Sequence, residues 1–195
     1  MDITPRQTEI IDAAGKILTN SGVSGLTIKN LAKEMQFSES AIYRHFASKE
    51  EIIVAMLNYL ADGIDKRFSN LTKPTDPEEY FKTLFHEQLR FFSENPHFVV
   101  AVFSDGLMEA SLLINQSILK LMNVKVKHLR PIILEGQQKG IFTNAITTDE
   151  LVHIIMGTFK LQMFKWRIAN FEFDIKRTGD KMVLSTLTLI RNKQV

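Results

Sequence analysis

The chain has 195 residues, 45% of them hydrophobic, with 24 Lys+Arg against 22 Asp+Glu and no cysteine. That length supports one ordinary core, or a small module joined to a larger one. Disulfides, thiolate nucleophiles and Cys-ligated metals are excluded, and with a formal net charge of only +2 any polyanion partner must be held by a few placed cations.

Thr4-Pro5-Arg6-Gln7 opens the first helix: Thr4 caps, Pro5 suits the first helical position, and Gln7 completes a capping box. Ile10, Ile11, Ala14, Ile17 and Leu18 then form one apolar stripe, and Gly22 is the stop. Thr27 caps a short second helix with Ile28, Leu31, Ala32 and Met35 inward. Ser38 caps a third, from about Glu39 to Phe46, with Ala41, Ile42 and Phe46 inward. Ser48-Lys49-Glu50-Glu51 is a second capping box, opening a longer helix that carries Ile53, Met56, Leu60 and Ile64.

Past "LTKPTDPEE" the pattern changes to long helices: about 77–94, then a shorter one at about 96–106, then about 111–139 with a kink at Pro131 and an end at Gly140. Asp149 to Phe171 and Ile175 to about Arg191 close the chain. Period-2 alternation, internal repeats and low-complexity segments are absent, so the class is all-α, with about nine helices. The start, "MDITPRQTEI", has no basic-then-apolar leader pattern, and the longest apolar runs, such as "FVVAVF", are too short to span a bilayer. A soluble cytoplasmic protein with no membrane partner is expected.

Two short helices separated by Gln36-Phe37-Ser38 match a helix-turn-helix. With Ile42 and Phe46 turned to the core, the other face of the third helix presents Glu39, Ser40, Tyr43 and Arg44. Ser40 and Arg44, four apart, share one face. The major groove admits one helix, and Arg and Ser read base edges there. Thr27 and Ser38 stand at helix N-termini, where hydroxyls and free amides can hold phosphate oxygens. Lys49, in the first turn of the fourth helix, opposes the helix dipole by a few tenths of about 1 kcal/mol, which a phosphate partner would account for. Tyr43 is assigned to phosphate as well. His45 is placed in the same set, as either a DNA contact or padding for a small core.

Residues 22–52, "GVSGLTIKNLAKEMQFSESAIYRHFASKEEI", resemble the DNA-binding signature of TetR-family transcriptional regulators. The matching positions are Thr27, Leu31-Ala32, Phe37-Ser38, Tyr43 to Phe46, and Ser48 to Glu51. The rest resembles the family in helix count and in details such as "LEGQQKGIF". There are departures: Gln36 stands where the family often has glycine, Ser40-Ala41 where it often has glycine or threonine, and Glu39 puts an anion on the proposed DNA face.

The resemblance implies a helix-turn-helix DNA-binding domain over 1–47 and a ligand-binding and dimerisation domain over 48–195. It further implies a homodimeric repressor on a palindromic double-stranded operator, released by a small, mostly apolar effector. The pocket candidates are Met56, Leu60, Phe81, Phe85, Gln88, Phe92, Met108 and Met122. His86, His97, Asn123 and His128 are, with Gln88, candidates for a polar contact in it. The last two helices are apolar on more than one face, and Phe159, Met163, Trp166, Met182, Val183, Leu187 and Ile190 are the expected subunit interface. The competing classes are a helical interaction bundle without DNA binding and a helical-bundle enzyme. Against the enzyme, "HEQLR" has Arg90 where a zincin has its second histidine, and no nucleophile elbow, phosphate loop or dinucleotide fingerprint is present. No catalytic residue, metal or cofactor is expected.

Overall fold

The computed structural model describes residues 3–103 and 111–192. Among them are nine helices in chain order: α1 Pro5–Gly25, α2 Ile28–Met35, α3 Glu39–Tyr43, α4 Lys49–Ser69, α5 Pro77–Glu94, α6 Pro96–Val102, α7 Leu112–Gln138, α8 Thr148–Ile168 and α9 Ile175–Ile190. Pairing in the extended conformation is confined, among the described residues, to one isolated bridge, Phe142 with Arg191. No described helix is long and apolar enough to cross a membrane.

The described residues divide into two compact units, one within Met1–Gly63 and Asn95–Met122, the other within Ile64–Glu94 and Asn123–Val195. The core of the first is built from α1 (Ile10, Ile11, Leu18), Leu31, Ile42 and the start of α4 (Ile52, Ile53, Met56), all nearly inaccessible. The second packs α5 against α9, with Leu89 filling the space over Gly179.

Local chemistry sets most boundaries. The Thr4 hydroxyl accepts from Gln7 N, and Gln7 Oε1 accepts from Thr4 N, so the capping box is closed. At Gly22 the helical path breaks, with φ 65° and ψ −168°, before one further turn reaches Gly25. That left-handed φ favours glycine. Thr147 and Glu150 form the same kind of box on α8, and the Asp174 carboxylate caps α9 by accepting from Lys176 N and Arg177 N.

Three helices end earlier than periodicity predicts, α6 among them, which ends at Val102 rather than at about 106. α3 stops at Tyr43 rather than Phe46: the chain tightens through His45 N to Ile42 O, and the α4 cap then takes over, with Ser48 Oγ accepting from Glu51 N and the Glu51 carboxylate accepting from Ala47 N. α8 stops at Ile168 rather than Phe171, because Asn170 (φ 48°) and Phe171 (φ 63°) are left-handed and Phe171 N returns to Trp166 O. Pro131 lies inside α7, which continues to Gln138. In "LEGQQKGIF" the requirement for glycine is steric: a Cβ on Gly136 would sit 2.0 Å from the Phe142 ring.

Candidate nucleic-acid interface and the buried aromatic cluster

The recognition segment is built from short-range hydrogen bonds. Thr27 Oγ1 accepts from Asn30 N at 3.1 Å and starts α2. Gln36 ends it in the left-handed region (φ 56°, ψ 39°), and Phe37 N donates to Ala32 O at 2.8 Å. Ser38 Oγ accepts from Ala41 N at 3.2 Å and lies 2.9 Å from Ser40 Oγ. Those bonds hold α3 so that Ile42 is buried and Phe46 follows it inward, while Glu39, Ser40, Tyr43 and Arg44 face solvent. Tyr43 is 51% exposed.

His45 is half-buried, and its carbonyl accepts from Gln7 Nε2 at 3.2 Å, which ties the start of α1 to the end of α3. Gln7 therefore serves the α1 cap with its oxygen and the recognition segment with its nitrogen. The separation of 38 positions between Gln7 and His45 hides that second role from sequence patterns. Arg6 also supports this region, its guanidinium 5.2 Å from the Phe37 ring centroid. Lys49 Nζ reaches the Val23 carbonyl at 3.5 Å, a weak contact that leaves its other hydrogens available.

The bundle candidates fall into separate places. Met56 and Leu60 are buried in the first unit; Phe81, Phe85, Gln88 and Phe92 are buried on α5 in the second. Met122 is 45% exposed on α7, which corrects its assignment to an enclosed pocket. Met108 lies outside the described residues. Among the polar candidates, His86 is exposed and 3.2 Å from Asp180, and Asn123 is exposed. His128 is 2.6 Å from Asp65, whose carboxyl is held below the usual range by hydrogen bonds from Lys127 and His128. His97 packs on Gly15 in the first unit, and burial lowers its pKa.

Of those candidates, Gln88 shares the α5 face that carries Phe85 and Phe92. Phe85 and Phe92 each face Phe159 of α8, with centroids 5.7 and 6.2 Å apart. Lys125 of α7, missed as a candidate, places Nζ 4.9 Å from the Phe159 centroid and 5.2 Å from that of Phe92. Part of the residue's surface is accessible, but its ammonium end is desolvated, and burial pushes its pKa down to about 7. Cation–π attraction is worth about 2 kcal/mol when desolvated, whereas an ammonium taken from water costs several. Gln88 Nε2 is buried without a hydrogen-bond partner, a further cost of about 1–3 kcal/mol. The arrangement is unfavourable on its own terms. The signal for Lys125 was available: it interrupts the i, i+4 apolar row Leu121, Leu129, Ile133.

The expected interface residues lie mostly on the inward side of α8 and α9. Phe159, Met163, Trp166, Val183, Leu187 and Ile190 are buried within their own unit, and Met182 is only part-exposed, so little of their surface remains for a second chain. The outward apolar row of α8 is instead Ile154 (51% exposed), Leu161 (59%) and Ile168 (64%), seven residues apart, with Leu184 outward on α9.

Two family models divide the chain between them. Bacterial regulatory proteins of the tetR family match residues 10–56, and the C-terminal region of YsiA-like proteins matches 57–189. The chain belongs to the TetR family of transcriptional regulators. The HTH-type transcriptional repressor NicS of Pseudomonas putida is 27% identical over 70% of this chain and 66% of its own length. The fatty acid metabolism regulator protein of Bacillus subtilis is 20% identical over 97% of both. Among solved structures, the fatty acid degradation regulator FadR from Bacillus halodurans superposes with TM-score 0.85 at 20% identity, covering 96% of this chain and 97% of its own. FadR from Bacillus subtilis, solved in complex with stearoyl-CoA, gives 0.81 at 18% identity, covering 94% and 98%. Both named curated relatives are regulators. This TetR-family chain is a DNA-binding transcriptional regulator.

Proposed function

We propose that the chain is a ligand-responsive repressor which binds a palindromic operator as a homodimer and lets go when a small, mostly apolar effector occupies the bundle. Residues 1–47 form the reading head and 48–195 the sensing and dimerising part. The observation that carries this reading is the outward face of α3: Ser40 and Arg44 exposed on one side, with Ile42 and Phe46 anchoring the other. Ser40 and Arg44 read base edges in the major groove, while Thr27, Ser38, Tyr43 and Lys49 hold phosphates. Glu39 accepts from a cytosine amino group or lowers nonspecific affinity.

Two copies meet through the outward faces of α8 and α9, along Ile154, Leu161, Ile168 and Leu184. Gly157 supports this, since an exposed glycine inside a helix costs about 1 kcal/mol relative to alanine and its Cβ position is open. A nearby helix of the partner gives that opening a use. Repression is supported by NicS, an apolar effector by the stearoyl-CoA complex of the Bacillus subtilis relative. Effector and operator then weaken one another reciprocally, by about 1–3 kcal/mol. The protein acts in the cytoplasm, where its operator lies.

Selection of duplexes from a random pool by the purified full chain tests the reading. An inverted repeat with half-site centres about 34–36 Å or a multiple apart is expected, together with a dimer in sedimentation. A monomer that selects single half-sites removes the mechanism.

A further inference from the structure

The second unit buries two hydrogen-bond donors against one aromatic cluster. Gln88 stands three residues after Phe85 and four before Phe92, on the same face of α5, and is 4% exposed. Both rings face Phe159, and Lys125 Nζ lies over Phe92 and Phe159. Lys125 thus reaches Phe92 and Phe159 from α7, while Gln88 shares the face of α5 that carries Phe85 and Phe92. Neither is matched: Gln88 Nε2 has no hydrogen-bond partner, and Lys125 has aromatic faces around its nitrogen and no carboxylate among the described residues. Packing alone would favour leucine or methionine at both positions. Buried donors left unpaired instead discriminate strongly for a molecule that brings the missing acceptor.

We propose that this cluster anchors the carboxylate of an otherwise apolar small molecule, with Lys125 Nζ and Gln88 Nε2 donating to its oxygens and the rings of Phe85, Phe92 and Phe159 taking the adjoining hydrocarbon. One cation balances one negative charge. A phosphate dianion would leave a charge uncompensated in an apolar surrounding, which burial penalises. Burial holds the unliganded lysine's pKa near 7, and a carboxylate beside it restores the charged form, so binding and protonation reinforce each other. The inference rests on the reading of the chain as a ligand-responsive regulator only in making this carboxylate the effector.

Thermal shift and titration calorimetry of the full chain, with decanoate and palmitate set against the alcohols of equal length, test it. The carboxylates are expected to raise the melting temperature and to bind at least about tenfold more tightly than the alcohols. Lys125→Met is expected to remove that preference while leaving the fold intact, Gln88→Leu to reduce it, and Lys125→Arg to keep part of it. Equal binding of acid and alcohol, no binding of either acid, or an undiminished preference in Lys125→Met overturns the proposal. Duplex binding is followed in the same samples. Carboxylates that bind without changing operator affinity leave the anchor standing and remove the effector reading. If neither carboxylate binds while the operator duplex is still bound, the anchor falls and the reading as a DNA-binding repressor stands.

Discussion

The first three helices and the second unit treat polar groups in opposite ways. On α2 and α3 the side chains that form caps also line the surface: Thr27 and Ser38 satisfy helix ends, and Ser40, Tyr43 and Arg44 stay in water. On α5 and α7, Gln88 and Lys125 are turned away from water and left unpaired. The exposed set costs little and suits a polyanion met at a surface. The buried set is kept at a stability cost and suits a small ligand that must be enclosed. The contrast separates an exposed polar face from a buried, unpaired polar pair within one chain.

The comparison is broken most severely at its apolar anchors. Phe46→Ala should cost the reading head about 3–5 kcal/mol in urea unfolding and abolish duplex binding, because the outward face of α3 is held only by what lies beneath it. A folded head that still binds duplex would mean that Ile42 alone suffices. Next in size is Lys125→Met, with the opposite sign. The unfolded chain keeps this proton up to pH 10.5, the folded chain only to about 7. Between those values the unfolded state binds more protons, so wild-type stability rises with pH. The substitution should therefore stabilise by about 1–4 kcal/mol at pH 7, and the gain should shrink as pH approaches 10.5. A gain that stays constant with pH would show that the lysine is not desolvated.

Arg44→Ala should lose about 1–3 kcal/mol on the selected operator and much less on scrambled DNA, whereas Lys49→Ala should weaken both and lower the salt slope by about one unit. Filter binding across a salt series separates these outcomes, and a uniform loss for Arg44→Ala would reassign it to phosphate. Smallest is Gln36→Gly, which relieves a left-handed side chain and should stabilise the head by up to about 1 kcal/mol in thermal melts.

How much could be read in advance follows the same contrast. The caps at Thr4, Thr27 and Ser38 depend on residues three positions away, so spacing alone reveals them, whereas the equivalent cap at Thr147 was missed and α8 begins at Thr148 rather than Asp149. The all-α class and the nine helices follow from the same local rules. α3 was drawn too long because the α4 cap competes for the same residues. Periodicity does not separate the inward from the outward side of α8, because a helix that is apolar all round looks the same whether its neighbour is its own chain or another. Phe159 and Ile154 are both hydrophobic, and only the fold assigns one inward and the other outward. The pairing of Glu78 with Arg191, two hydrogen bonds of 2.6 Å across 113 residues, has no local signature at all. Lys125 was legible as an interruption of an apolar row, but the rings around it come from other helices.

Trp166 donates its indole N–H to the Phe173 carbonyl at 2.9 Å and meets the Phe171 ring edge-on at 4.8 Å, just where α8 turns back through two left-handed residues. It is the sole tryptophan of the sequence. The protein therefore carries one built-in fluorophore, and it resides in the second unit. Its emission reports the melting of the α8–α9 turn without labelling, while far-ultraviolet dichroism reports all nine described helices together. Any difference between the two signals is a direct reading of how separately the two units come apart.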